Sequence, residues 1–252
     1  MRSLRATLVL WLVATLVWAL PSLAAIPGPE KVARAVANAN EVSGRSKPLL
    51  IEVTLRVAGA APSADGTLAV HPSGLARLEL RNKLGFVERH LLQGNAYQAS
   101  RDGQLLRNPH PFLPPVFLLQ ATSGEALRAA LGSFGVADQE LVLGRLGRHD
   151  CYVFGGRIPG SAPKEQLLPS LWVDTVSFDP LRIVRADGVE YRLGPIEVHS
   201  GIRLPKWIEL RTPAGFRARL EVAGVSRAEA PAALFQPDWL TATPGPAKNA
   251  AP

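Results

Sequence analysis

The sequence has one cysteine among its 252 residues, so no disulfide can form within the chain. That residue, Cys151, lies in the strand-like run DCYVF and is interpreted as a small buried apolar residue. No histidine is placed to activate it as a catalytic thiol. The five histidines are isolated and no pair has the spacing of metal ligands, so they are interpreted as turn or surface residues.

Catalytic and nucleotide-binding signatures are also absent. The chain contains no G-x-S-x-G, Walker, H-E-x-x-H or C-x-x-C sequence. Glu52, Glu79 and Glu88 fall on the polar side of alternating runs, which argues against a pair of catalytic carboxylates. We therefore predict a protein that is not an enzyme and that uses no cofactor and no metal.

Basic residues are numerous but are not clustered. The formal net charge is +7, yet lysines and arginines are spread singly along the chain. Nucleic-acid binding is not predicted, because it needs a basic patch or stripe. A weak attraction to anionic membrane surfaces is compatible with this charge.

The longest uncharged apolar run is 6–20, behind Arg2 and Arg5 and ahead of the small residues at 21–25. This pattern predicts a cleaved signal peptide over 1–25 and export across the inner membrane. The alternative is a retained N-terminal anchor, although the run is shorter than the roughly 20 residues that span a bilayer. We expect one domain over 26–240 and a disordered Pro/Ala-rich tail over 241–252.

Alternation of apolar and polar residues dominates the rest of the chain. Between 66 and 102, four short runs alternate at period two and end in Gly, Asn or Pro, which predicts antiparallel hairpins with one buried face. With similar runs from 49 to 57 and from 139 to 225, including one strand over 202–211, the pattern predicts about ten to twelve strands, which must curl or close. The apolar residues expected to share the covered face are Leu49, Ile51, Val53, Leu55, Leu68, Val70, Leu78, Leu80 and Leu220.

Two segments have helical spacing instead. Residues 29–41 predict a short amphipathic helix, and 126–134 predict a second one. Four prolines within 108–115 exclude a central strand there, because proline cannot donate to the ladder. The proline-rich segment and the second helix are predicted to form a lid over the apolar face. The expected lid residues are Phe112, Val116, Phe117, Leu118, Leu127 and Leu131.

The order of these elements resembles the periplasmic lipoprotein carrier family LolA and the wider LolA/LolB-like superfamily. The resemblance rests on the signal peptide, the first helix, GTLAVHPSGLARLEL, LLQGNAY, PPVFLLQ, DCYVF, LWVDTVSFDPLRIVR, RLPKWIELR and the terminal AALFQP. It covers nearly all of the chain after residue 25. The individual motifs are weak, and their shared order carries the resemblance.

The resemblance implies an incomplete, half-open antiparallel β-barrel with an apolar concave face, an N-terminal helix and a helical lid. It implies a monomer in the periplasm that binds lipoprotein acyl chains, phospholipid or fatty acid for transfer toward the outer membrane. An inner-membrane donor complex and an outer-membrane acceptor are the implied partners. The family has an arginine that holds the lid shut, and His71, before Pro72, stands at that latch position.

Two questions stay open from the sequence. The residues of the covered face can line an open cavity, or they can form a packed core closed by the helices. The function can be that of a lipid carrier, or that of a LolA-like sensor or protein-interaction module without carrier activity. Co-purified lipid would favour the carrier, and a stable protein partner without lipid would favour the module.

Overall fold

The computed structural model describes residues 26–59, 63–94, 96–115, 119–155, 169–229 and 232–243. The helices are α1 (Pro29–Val42), α2 (Gly124–Ser133) and α3 (Asp238–Thr241), with a 3₁₀ turn over Ala232–Phe235. The strands are β1 (Leu49–Val57), β2 (Ala64–His71), β3 (Leu75–Asn82), β4 (Val87–Gln93), β5 (Ala96–Arg101), β6 (Gln104–Leu105), β7 (Leu141–Leu146), β8 (His149–Phe154), β9 (Ser170–Asp174), β10 (Pro180–Val184), β11 (Glu190–Leu193), β12 (Ile196–His199), β13 (Ile202–Pro205), β14 (Trp207–Arg211) and β15 (Arg217–Arg227).

Thirteen of these strands form one antiparallel sheet in the order β6-β5-β4-β3-β2-β1-β15-β14-β11-β10-β9-β8-β7. Neighbours in sequence are mostly neighbours in the sheet, as alternation separated by tight turns predicts. The exceptions are β11 with β14, between which the β12–β13 ribbon intervenes, and β1 with β15, which joins the two halves of the chain. The sheet does not close, because β6 and β7 are its two free edges. This is the mainly β, half-open barrel that the resemblance implies.

The segment predicted as one strand over 202–211 is two strands. Pro205 ends β13, and the Lys206 N–H donates to the Pro195 carbonyl, so the chain leaves one ladder before it enters another. β12 and β13 form a separate two-stranded ribbon. The split of 202–211 and the two-residue β6 contribute to a count of fifteen strands in the described residues, above the expected ten to twelve.

The lid position follows from the topology. The two edge strands, β6 and β7, are consecutive in the chain, so the connection over 106–140 must cross the open side of the sheet. It carries the proline-rich segment and α2, which packs against α1. A Cβ on Gly124 would lie 2.9 Å from the Arg34 backbone nitrogen, so glycine permits this close helix contact.

The other face of the sheet is partly covered by the C-terminal segment 232–243. Phe235 and Leu240 are buried there against Ala69 and Leu91. The Arg89 Nη1 donates to the carbonyls of Trp239 and Ala242. The packed segment therefore extends to Ala242, beyond the boundary predicted at 240. The predicted signal peptide and residues 244–252 lie outside the described residues.

Candidate functional site

The apolar interior lies between the inner face of the sheet and the lid connection. All nine residues predicted for the covered face are buried in one cluster, together with Phe112, Leu127 and Leu131 of the lid. Val116, Phe117 and Leu118, also predicted for the lid, lie outside the described residues. In this conformation the interior is packed, because its voids measure only about 20 and 10 Å³. Each void is close to the minimum volume that holds one water molecule.

An open cleft lies at one end of this interior. Its volume is about 340 Å³. It brings two predicted interior residues, Leu55 and Leu80, together with Phe112 of the lid. The full lining is Leu55, Ala64, Leu80, Asn82, Phe86, Glu88, Arg101 and Phe112. An apolar cleft with a few polar groups at its mouth is typical of a ligand site.

The cleft is continuous with the packed interior through shared residues. Leu55 and Phe112 border both the cleft and a closed gap behind it. Tyr191 and Ile208 border that gap and also the void beneath Pro114. Phe112 therefore stands between the open cleft and a line of apolar side chains that crosses the core. A linear apolar ligand could extend inward only if Phe112 and the lid moved.

Two tyrosines, the half-buried Tyr97 and the buried Tyr191, hold the near end of the lid. The Tyr97 hydroxyl of β5 donates to the His110 carbonyl at 2.8 Å, and the Tyr191 hydroxyl of β11 donates to the Pro111 carbonyl at 2.9 Å. Burial raises the pKa of both phenols, so each keeps its proton and remains a donor. The proline nitrogens of this segment carry no hydrogen and cannot donate hydrogen bonds. The segment is therefore anchored through its carbonyl groups, which accept them.

A buried arginine holds the far end. The Arg45 side chain is 0% exposed, and its Nη2 lies 3.0 Å from the Asp179 Oδ1. Its Nε donates to the Leu119 carbonyl at 3.1 Å. Burial is the largest influence on the pKa of Arg45 and lowers it. The Asp179 carboxylate opposes this decrease, and the guanidinium stays a cation. The Gln120 Nε2 donates to the carbonyls of Arg45 and Lys47.

The latch at His71 stays a prediction. Its Nδ1 lies 2.7 Å from the Ser73 Oγ, and its ring meets the edge of Phe235 at 6.3 Å between centroids. Within the part of the chain that the structure describes, no such contact joins His71 to the lid connection. A different residue, Arg45, supplies a buried cation that contacts the lid. Sequence reasoning missed it because a single arginine in a short loop carries no periodic signal.

A polar cluster lies at the mouth of the cleft. The Arg101 Nη2 lies 2.8 Å and the His90 Nε2 lies 3.0 Å from the Glu88 carboxylate. His90 is 0% exposed and its ring meets the edge of Phe112, so its interpretation as a turn or surface residue was wrong. Glu88 is mostly buried on the inner face, opposite Leu80, and does not face solvent as predicted. The lid covers this side of β4 and the C-terminal segment covers the other.

The protonation of this cluster has a clear direction. Burial is the largest influence on His90 and lowers its pKa, although Glu88 opposes it. For Glu88, burial would raise the pKa, but the hydrogen bonds from His90 and Arg101 outweigh it and lower the pKa. The folded protein therefore favours neutral His90 beside an ionised carboxylate.

We expect stability to fall as pH is lowered from 7 to 5. The folded pKa of His90 lies below its unfolded value of about 6.5, so the unfolded chain binds the proton first and acid favours unfolding. Glu88 adds to the loss at lower pH, below its unfolded value of about 4.3. Urea unfolding across this range should give a smaller slope for His90→Gln, by up to about 1.4 kcal/mol per pH unit. Equal slopes in the wild type and in His90→Gln would contradict this account.

The described residues lack two further features. None of their helices is long and apolar enough to cross a membrane. They also contain no group of three or more His, Cys, Asp or Glu side chains arranged to hold a metal ion.

Comparison with solved structures places the fold. A LolA superfamily protein from Nitrosomonas europaea matches 85% of this chain and 100% of its own, with a TM-score of 0.52 and 15% identity. A Vibrio parahaemolyticus domain described as an outer membrane lipoprotein-sorting protein matches 85% and 98%, with a TM-score of 0.54 and 10% identity. A DUF1329 family protein from Desulfovibrio piger matches 85% and 100%, with a TM-score of 0.50 and 13% identity. No family model and no curated protein gave a significant match. The chain thus has the LolA-like fold.

Proposed function

From the LolA-like fold and the cleft, we propose that this protein binds lipid acyl chains in the bacterial periplasm and carries them toward the outer membrane. The observation that supports this most is the open cleft that ends at Phe112, directly before an apolar interior closed by the lid. The similarity to a lipoprotein-sorting domain is consistent with lipoprotein acyl chains as the cargo. A signal peptide over 1–25 would bring the protein to that compartment.

The packed interior would be the empty state of such a carrier. Burying an acyl chain is worth about 0.8 kcal/mol per methylene, so a permanently open cavity would hold its ligand too tightly to release it. A lid that fills the interior competes with the lipid and lowers the apparent affinity. The lid contacts named above are hydrogen bonds, which can open and close again.

Lipid bound to the protein as isolated is the test of this proposal. Protein purified from a periplasmic fraction should show, in native mass spectrometry, an added mass from bound lipid. Extraction with organic solvent should remove that added mass. A fluorescent fatty acid should bind the extracted protein and be displaced by palmitate. Absence of both the added mass and probe binding would reject the carrier.

The filled interior also favours a second candidate, a LolA-like sensor or interaction module that never opens. Its voids of about 20 and 10 Å³ are those of an ordinary core. In that case a stable protein partner should be captured without lipid, and its binding should survive lipid extraction.

Weakening the lid should raise lipid affinity if the lid competes with the ligand. Tyr97→Phe with Tyr191→Phe removes two hydrogen bonds to the lid, each worth about 1 kcal/mol. We expect the fluorescent fatty acid to bind roughly 5- to 30-fold more tightly. Tyr152→Phe is the control, because Tyr152 stacks on Phe178 away from these contacts. Unchanged or weaker binding in the double variant would show that the lid does not compete.

A further inference from the structure

The outer face of the sheet, away from the apolar interior, carries a dense array of arginines. Along one row of neighbouring strands, Arg192 of β11 lies opposite Glu209 of β14, and Glu209 lies opposite Arg219 of β15. Arg219 in turn lies opposite Arg56 of β1. The residues between them in sequence, such as Tyr191 and Leu220, point inward and are buried. The outer face of the five adjacent strands β1, β15, β14, β11 and β10 is therefore charged, while their inner face is apolar.

Positive charge is in excess on this face. Six arginines stand against four glutamates, which leaves two unbalanced positive charges. Arg217 is exposed, and no carboxylate pairs with it in the described residues. We call this set the arginine face, and it consists of Arg56, Arg182, Arg192, Arg211, Arg217, Arg219, Glu52, Glu190, Glu209 and Glu221.

Carboxylates and indole rings hold several of these arginines in place. The Glu190 Oε1 accepts from the Arg192 Nε at 2.6 Å and lies 2.7 Å from the Arg182 Nε in an ion pair. The Arg182 guanidinium lies over the Trp172 ring at 5.4 Å. Side chains fixed in this way lose little rotational freedom when they bind a further partner.

The neighbouring strands repeat the arrangement. Glu209 accepts from Arg211 and Arg219 at 2.6 and 2.8 Å. The Arg219 guanidinium covers the Trp207 ring at 4.5 Å. A guanidinium has five N–H donors, so the paired arginines that stay partly exposed, such as Arg192 and Arg219, keep donors for a phosphate oxygen. The arginine face is thus a pre-arranged array of anion donors.

The face lacks the exposed apolar anchors of a typical protein interface. Such interfaces are enriched in arginine and aromatic residues, but their cores also bury apolar or aromatic side chains in pockets of the partner. The large exposed hydrophobic residues of the described chain, such as Leu84, Phe86 and Val176, all lie off these five strands. The two indole rings are covered by guanidinium groups. Adsorption to an anionic lipid surface needs charge alone, and each basic residue near the surface contributes to it.

We propose that the arginine face docks this protein onto membrane surfaces rich in anionic phospholipid, through guanidinium–phosphate contacts. The face lies on the opposite side of the sheet from the apolar interior, so docking does not depend on lipid entering the core. A protein that failed to bind a free fatty acid would still dock.

Vesicle sedimentation tests this directly. Wild-type protein should pellet with phosphatidylcholine vesicles containing 30% phosphatidylglycerol, should not pellet with pure phosphatidylcholine, and should be released by 0.5 M NaCl. Arg192→Gln with Arg217→Gln removes two charges from the face and should weaken partitioning about 30-fold at low salt. The matched control, Arg34→Gln with Arg148→Gln, removes two exposed charges from α1 and the β7–β8 turn.

The control pair should keep most of the wild-type partitioning. Equal weakening in the two double variants would mean that net charge alone drives adsorption and would overturn the proposal. Equal pelleting with neutral vesicles would also overturn it, because the cleft or another apolar surface would then be responsible. If the wild-type protein did not bind anionic vesicles but captured an acidic protein, the arginine face would be a protein-binding surface and the proposal would be overturned. Thermal melting of both variants confirms that the fold is kept.

Discussion

Replacing Asp179 with alanine should lower the free energy of unfolding by about 3–5 kcal/mol, because it leaves the Arg45 cation buried without its counter-charge. The Arg45 and Asp179 side chains are 0% and 3% exposed, so water cannot take over the lost interaction. Arg203, which lies 3.2 Å from the same carboxylate, would lose its partner as well. The measurement is urea unfolding followed by circular dichroism.

The lid should respond to the same change. Arg45 donates to the Leu119 carbonyl, so a displaced Arg45 releases the far end of the lid. Asp150→Ala is the matched control, since it also removes one carboxylate from an ion pair. That pair, with Arg145 at 3.8 Å, is 73% and 74% exposed and should contribute at most about 1 kcal/mol. Similar losses in the two variants would show that the buried pair has no special role.

Replacing Phe112 with aspartate should weaken binding of a fluorescent fatty acid by about 100-fold while the sheet stays folded. Phe112 stands at the passage from the cleft to the interior, and a carboxylate there cannot lie dry against an acyl chain without a cost of a few kcal/mol. The residue belongs to the lid connection and makes no ladder hydrogen bonds with the sheet. Far-UV circular dichroism beside a probe titration measures both effects.

Phe86→Asp is the control for this substitution. Phe86 lines the outer part of the same cleft but is 50% exposed, so a carboxylate at that position stays hydrated. Its probe affinity should remain within a few-fold of wild type. Loss of the folded signal in Phe112→Asp would identify Phe112 as ordinary core, and equal affinity in both variants would place the ligand elsewhere.

The sequence was a good guide where a local pattern reports burial. Period-two alternation assigned Leu49, Ile51 and Leu220 to the buried faces of their strands, and the structure buries all three in one cluster. Helical spacing likewise located α1, and proline placement located the lid connection. Each of these depends on residues within about ten positions of one another.

Features that depend on distant contacts were not predictable in this way. The bond from Lys206 to Pro195 splits a run that reads as one strand. His90 is buried because separate parts of the chain cover both sides of β4, which also removes the alternation from VERHLLQ. The Arg45 network spans 134 positions to Asp179, and the pairing of β1 with β15 joins Leu49 to Arg227. Tertiary context alone sets these contacts.

The central claim is that an acyl chain enters the interior behind Phe112, and photo-crosslinking tests it most directly. A fatty acid with a diazirine at its terminal carbon should be irradiated with the protein and the labelled peptides identified by mass spectrometry. Labels on inner-face residues such as Tyr191, Ile208 and Leu220, suppressed by excess palmitate, are the predicted result. Labels confined to the arginine face or to the exposed hydrophobic residues, or no saturable labelling at all, would contradict the account.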